Sequence, residues 1–196
     1  IVLVYGDCLR PSDGASKRVQ TNDLPPGQSR RLRELFVRGG PIVPSTALVR
    51  IDALSEVGGF DASLEALEDA DAWLRLIRVG MFKRAGDAIL SSKTQHLGSR
   101  GERSRSDASH FKEVTDRATS RDPFLRRYEK KRWARYLRRS MSLSGEAASS
   151  DLANLRVVLA ATGRGEIGPG TGVLLSALVA YRSLRARAGR AFEGLK

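Results

Sequence analysis

The chain has 196 residues, enough for one medium domain or for a core domain with an appended helical part, and its 41% hydrophobic content is that of an ordinary globular protein. A single cysteine, Cys8, excludes an internal disulfide and any multi-cysteine zinc cluster, and fits a reducing compartment. The net charge of +12 is unevenly placed, with 13 basic and 12 acidic residues up to His96 and 21 and 10 after it. Such a field favours anionic partners, whether nucleic acid, lipid headgroups or phosphorylated substrates, without choosing among them.

The opening IVLVYGD reads as a buried strand, Ile1–Tyr5, ending at Gly6-Asp7. It resembles a strand interior, so we expect a piece of a longer chain. Asp13-Gly14 and Pro25-Pro26-Gly27 make Arg10–Gln28 a turn and an exposed loop. A short helix follows around Ser29–Val37 and is broken by Gly39-Gly40-Pro41. Ile42–Val49 is a short extended segment turning at Pro44-Ser45, and Asp52 is placed to N-cap a second short helix, Asp52–Val57. Gly58-Gly59 ends that helix, and Phe60 is expected to plug the core.

From Asp69 to Val79 the positions Ala72, Trp73, Leu76, Ile77 and Val79 form a helical apolar stripe, with Arg75 and Arg78 off it and Gly80 as terminator. Trp73 on that stripe is a core anchor before it is a ligand-stacking platform. A strand, Met81–Ala85, a turn at Gly86-Asp87 and a second extended piece, Ala88–Leu90, come next. Ser91–Asp107 is polar and basic and reads as a loop. Helix-favouring composition then covers Ala108–Thr119, Pro123–Met141, Ala147–Ala161 and Gly172–Phe192. We find no internal repeat, and the longest apolar run, Gly172–Tyr181, is about half the ~20 residues of a membrane-spanning helix.

The order of these elements, together with Val4-Tyr5-Gly6-Asp7, Pro44-Ser45-Thr46, Arg50, Ala53-Leu54, Val57-Gly58-Gly59-Phe60-Asp61, Leu64, Glu68-Asp69, Asp71, Trp73-Leu74-Arg75-Leu76 and Gly80, resembles the C-terminal half of a family 2 glycosyltransferase. The resemblance runs from Ile1 to about Gly101. It implies an α/β chain: residues 1–101 as the acceptor-side half of a GT-A (nucleotide-diphospho-sugar transferase) fold lacking its N-terminal nucleotide-binding half, and residues 102–196 as a basic α-helical subdomain.

The resemblance further implies an inverting transferase of polysaccharide biosynthesis that moves a sugar from a nucleotide-sugar donor to a hydroxyl of a glycan or lipid-linked acceptor. Asp69 maps onto the general base, and Glu68 beside it would hold the acceptor or tune the base by like-charge proximity. The alternative for both is an acid pair that complements a helix dipole. Ser45 and Thr46 map onto a substrate-binding segment, although Ser and Thr after proline are also ordinary turn residues. Asp71 is grouped with the substrate-binding residues and would orient the helix start. Lys93, Arg100 and Arg103 could clamp diphosphate, or be solvated. His96 would complete a metal shell, or be an exposed loop histidine. The cofactor implied is a divalent cation, Mn²⁺ or Mg²⁺, whose main carboxylate ligands are expected upstream of Ile1, so the chain as given would be catalytically incomplete.

A second class of function stays open. Arg126-Arg127, Lys130-Lys131-Arg132, Arg135 and Arg138-Arg139, interleaved with Tyr128, Trp133 and Tyr136, read as a solvated helix whose aromatics face a core. They also fit a non-catalytic module docking on anionic membrane or nucleic acid, with nucleic acid the less favoured partner. The expected place is the cytoplasm, with peripheral contact at the inner membrane face.

Overall fold

The computed structural model describes residues 1–12, 15–39, 41–92 and 108–142. The expected turn at Asp13-Gly14, the loop residues Lys93, His96, Arg100 and Arg103, and the helices expected over Ala147–Ala161 and Gly172–Phe192 lie outside them.

Strand β1, Leu3–Ser12, organises the sheet. Its Cys8–Ser12 end pairs antiparallel with β2, Ala15–Val19, and Leu3 and Val4 pair antiparallel with β3, Leu48–Val49. Residues from Leu3 to Leu9 also pair in parallel with β4, Phe82–Ser92. A strand has two edges, so β2 and β3 share one edge of β1 and β4 runs along the other. The result is a mixed four-stranded sheet in a mixed α/β architecture.

Two expectations are corrected here. β1 does not stop at Gly6-Asp7, and Arg10–Gln28 is a hairpin return before it is a loop. The reason is non-local. Asp7 is 0% exposed, and its carboxylate accepts from the Thr21 N–H at 2.8 Å, the Thr21 hydroxyl at 2.7 Å, Arg18 Nε at 2.7 Å and Arg84 Nη2 at 3.2 Å. Burial works to raise its pKa, but these donors overcome it and hold the carboxyl far below the usual carboxylate range. The charge thus sits inside the sheet, and the strand continues through it. β4 is likewise one strand, because the register against β1 shifts on either side of Asp7 and Gly86, at φ 75°, accommodates the bulge.

The helices are α1 (Gln28–Arg38), α2 (Ile51–Glu56), α3 (Glu68–Val79), α4 (Ala108–Arg121) and α5 (Glu129–Ser142). α1 follows from Leu32, Leu35 and Phe36 on one face and Gly39 closing its C-terminus in the left-handed conformation. α2 starts one residue before Asp52, so Asp52 is not the N-cap. It lies in the first turn, bonding the Ala53 N–H at 2.8 Å and ion-pairing with Arg50, which, ahead of the Ala53 bond, lowers its pKa to about 2. The expected helix over Pro123–Met141 opens as a 3₁₀ turn, Pro123–Tyr128, in which Asp122 accepts from the Phe124 N–H at 3.1 Å.

One core joins Leu3 and Tyr5 of β1, Leu35 and Phe36 of α1, Trp73, Leu76 and Ile77 of α3, Val114 and Ala118 of α4, and Leu125. Each Leu, Ile, Val or Phe among them contributes ~1.5–3 kcal/mol by leaving water. What is described of the helical part therefore packs on the same core as the strands. Val79, placed on the apolar stripe from its spacing, is 40% exposed at the last position of α3.

α5 carries an unexpected element. Arg132, one of its basic run, is 1% exposed, with its guanidinium 4.6 Å from the Phe36 ring centre and 4.3 Å from that of Phe111. It donates to Thr115 Oγ1 at 2.7 Å and to the Phe36 carbonyl at the end of α1. Burial pulls its pKa down. Trp133, at 1% exposure, and Tyr136, stacked on Phe111, also turn inward.

Candidate functional site

The segment from Val57 to Asp71 is built by short-range rules. Gly58 and Gly59 take φ values of 85° and 71°, and their N–H groups bond Ser55 O at 3.0 Å and Leu54 O at 2.8 Å, closing α2. Open space surrounds both, so they are glycine for the backbone conformation and not to admit a neighbour. Phe60 does not plug the core. It is 47% exposed and lays its ring across the edge of buried Trp73 at 5.9 Å, because the turn carries it over the outside of α3.

Asp61 then folds the chain back. Its Oδ1 accepts from Ser63 Oγ at 2.6 Å and from the Ser63 N–H at 2.9 Å, and these bonds, with Arg117, lower its pKa to about 2. Leu64 and Ala66 are buried and peg the loop to the core while Glu65 between them is exposed. Leu67 follows at φ 63° and ψ 20°, the one non-glycine residue of positive φ among the described residues. A left-handed branched side chain costs about 1–2 kcal/mol, so the surrounding contacts impose it.

That strained residue sets Glu68 and Asp69 as the first two residues of α3. Both are half-buried, and Asp69 Oδ1 accepts from the Ala70 N–H at 2.7 Å. The first helical bond runs from the Asp71 N–H to Leu67 O at 3.0 Å, and the positive end of the helix dipole favours carboxylates at this point. Asp71 is placed differently from its two neighbours. It is 0% exposed, bonded to Arg75 Nε at 2.9 Å and to Arg121 Nη1 at 2.5 Å, and so faces the protein and not a substrate. Arg75 also donates to Val57 O, tying α3 to the end of α2.

Sequence reasoning missed α4 as part of this region. His110, Arg117 and Arg121 recur seven and four residues apart, which places them along one helix flank. They face Glu65 (3.9 Å), Asp61 (2.5 Å) and Asp71 (2.5 Å), and Arg117 also reaches Ser63 Oγ at 3.1 Å. Both acids of the loop before α3 thus face a basic side chain of α4, Arg117 for Asp61 and His110 for Glu65. The spacing was available in the sequence, but nothing local says that the two segments meet.

Of the other expected site residues, Ser45 is exposed on the Pro44–Thr46 3₁₀ turn with its Oγ 3.0 Å from Ser91 Oγ, near the end of β4. Thr46 is buried and donates to Val43 O at 2.8 Å, closing its own turn. Neither of these two hydrogen bonds involves Glu68 or Asp69. Lys93, Arg100 and the expected metal ligand His96 lie outside the described residues. Among the described residues no three His, Cys, Asp or Glu side chains come together in a way that could hold a metal ion. On their own they do not supply the ligand set a divalent cation needs.

No family model, curated protein or solved structure matches the chain. Among the described residues no helix is long and apolar enough to cross a membrane. The arrangement offers a half-buried carboxylate pair at a helix start, presented by a strained residue and a loop clamped from α4. Chemically, such a carboxylate can accept a proton from a bound hydroxyl or amine.

Proposed function

We propose that the chain is the acceptor side of an inverting glycosyltransferase of the GT-A type, with Asp69 as general base. The observation that carries this reading is Leu67, held in the left-handed region immediately before Glu68-Asp69. Backbone strain that the rest of the loop must sustain is common where side-chain position matters to function. A plain helix-capping acid pair would need no such residue, since an extended Ser, Thr or Asp would serve.

In this reading the acceptor oxygen attacks the anomeric carbon of the donor sugar, the bond from that carbon to the nucleoside diphosphate breaks, and the acceptor proton passes to Asp69. A positioned base of this kind contributes roughly 10²–10⁴-fold. Glu68 is left to hold an acceptor hydroxyl. Asp71, with Arg75 and Arg121, fixes the register of α3 and touches no reactant.

The test is product formation by the polypeptide as its gene encodes it, given a panel of nucleotide-sugars, acceptor glycans and Mn²⁺ or Mg²⁺. A glycoside of inverted anomeric configuration, resolved by NMR, supports the proposal. Retention of configuration, or no donor binding and no nucleoside diphosphate release with any donor, rejects it.

A further inference from the structure

One flank of the molecule carries cations that form no ion pair with any acid among the described residues. Arg33 of α1 and Arg127 of the 3₁₀ turn sit over the same ring, their guanidinium carbons 5.9 and 5.7 Å from the centre of Tyr128. The shared ring brings both charges close together. Arg30 lies one turn before Arg33, Lys131 one turn after Arg127, and Arg126 and Lys130 are exposed beside them. None of these six makes an ion pair among the described residues, whereas the acids nearby are engaged: Glu34 with Arg38 at 3.5 Å and Asp122 with Arg78 at 3.5 Å. Glu129 is half-buried and is the sole acid between Pro123 and Tyr136.

The strip combines two elements far apart in sequence. The spacing within α5 alone does not reveal it, since Arg132 of that run is buried and Arg30 and Arg33 come from α1. Its aromatics decide the kind of partner. Trp133 and Phe111 are buried and Phe124, Tyr128 and Tyr136 are half-buried, so among the described residues this flank offers no exposed ring for stacking a base or for entering a bilayer. Duplex recognition takes an element that projects into a groove, and here α1 and α5 pack side by side and present their flanks. A plane of anionic headgroups asks only for a density of positive charge on one face.

We propose that this α1–α5 flank docks the protein electrostatically on anionic lipid headgroups. The inference is independent of the glycosyltransferase reading, because none of the six residues belongs to the acidic loop or to α3.

The test is co-sedimentation of the full 196-residue chain with phosphatidylcholine vesicles, with and without about 30% phosphatidylserine, at about 0.1 M and about 0.5 M salt. Binding is expected only with phosphatidylserine, and should fall at least about tenfold at the higher salt. The K130E/K131E variant should bind at least about tenfold more weakly, each juxtamembrane cation being worth about fivefold. R127E/K131E should do the same, while K17E/K83E, with equal charge change on β2 and β4, should stay within about threefold of the parent. Circular dichroism establishes that each variant is folded. The proposal is overturned if vesicles without phosphatidylserine bind equally, if K130E/K131E binds as the parent does, if K17E/K83E weakens binding as much, or if duplex DNA binds and vesicles do not.

Discussion

Replacing Asp7 by Asn tests whether the buried charge in β1 holds the sheet together. The carboxylate has no exposure and takes donors from three places: Thr21 beyond β2, Arg18 on β2 and Arg84 on β4. Removing one partner from a buried ion pair costs about 3–5 kcal/mol, since the remaining charges stay desolvated. Arg18 is 39% exposed and can hydrate, and Arg84 keeps Asp87 at 2.9 Å, so the lower end applies, about 3 kcal/mol. With an m value of about 2 kcal/mol/M, the urea midpoint at pH 7 should drop by about 1.5 M. The loss must also depend on pH. Asp7 has a folded-state pKa below its unfolded value, so its contribution is complete above about pH 5 and is lost as pH falls below about 4, where the unfolded chain takes up the proton first. Asp52 and Asp61 titrate low in both proteins and cancel in the comparison. The gap between parent and variant should therefore narrow from pH 7 to pH 3. A gap under about 1 kcal/mol at pH 7, or one that stays constant down to pH 3, would refute the reasoning.

Two further substitutions probe the frame around the acidic loop. Asp71→Ala should cost about 3 kcal/mol in urea unfolding, against about 1 kcal/mol for Arg121→Ala, whose side chain is 38% exposed. Equal and small losses would mean that α4 does not anchor α3. A methyl group at Gly80 would lie 2.2 Å from Val2 Cγ1, so Gly80→Ala should cost about 1–3 kcal/mol by overpacking, read as a Tm about 2–12 °C lower. Adding Val2→Ala should recover part of that loss, and a fully additive double variant would argue against the clash.

How much the sequence disclosed depended on range. α1 and α3 were legible because Leu32, Leu35 and Phe36, and Ala72, Trp73, Leu76 and Ile77, repeat at helical spacing and end at glycine. The Gly58-Gly59 turn was legible because positive φ is a local demand. What went unseen depended on partners distant in sequence. Asp7 marked a strand end by its charge, yet Arg84, far along the chain, lets the strand run on. Gly86-Asp87 read as a turn, but pairing with β1 keeps β4 a single bulged strand. In the candidate site the acid pair was legible, whereas the turning inward of Asp71 and the clamp from α4 were not, because both require knowing which helix lands on the loop. Leu67 gave no signal at all, since nothing in its side chain favours the left-handed region.

The central claim is that Asp69 takes the acceptor proton in sugar transfer. The most direct measurement is the single-turnover rate of transfer by Asp69→Asn in the polypeptide as its gene encodes it, alongside the dissociation constant of the donor. The account predicts a rate at least about 10²-fold lower with donor affinity within about threefold of the parent. A rate within about threefold of the parent, with donor affinity equally unchanged, would contradict it.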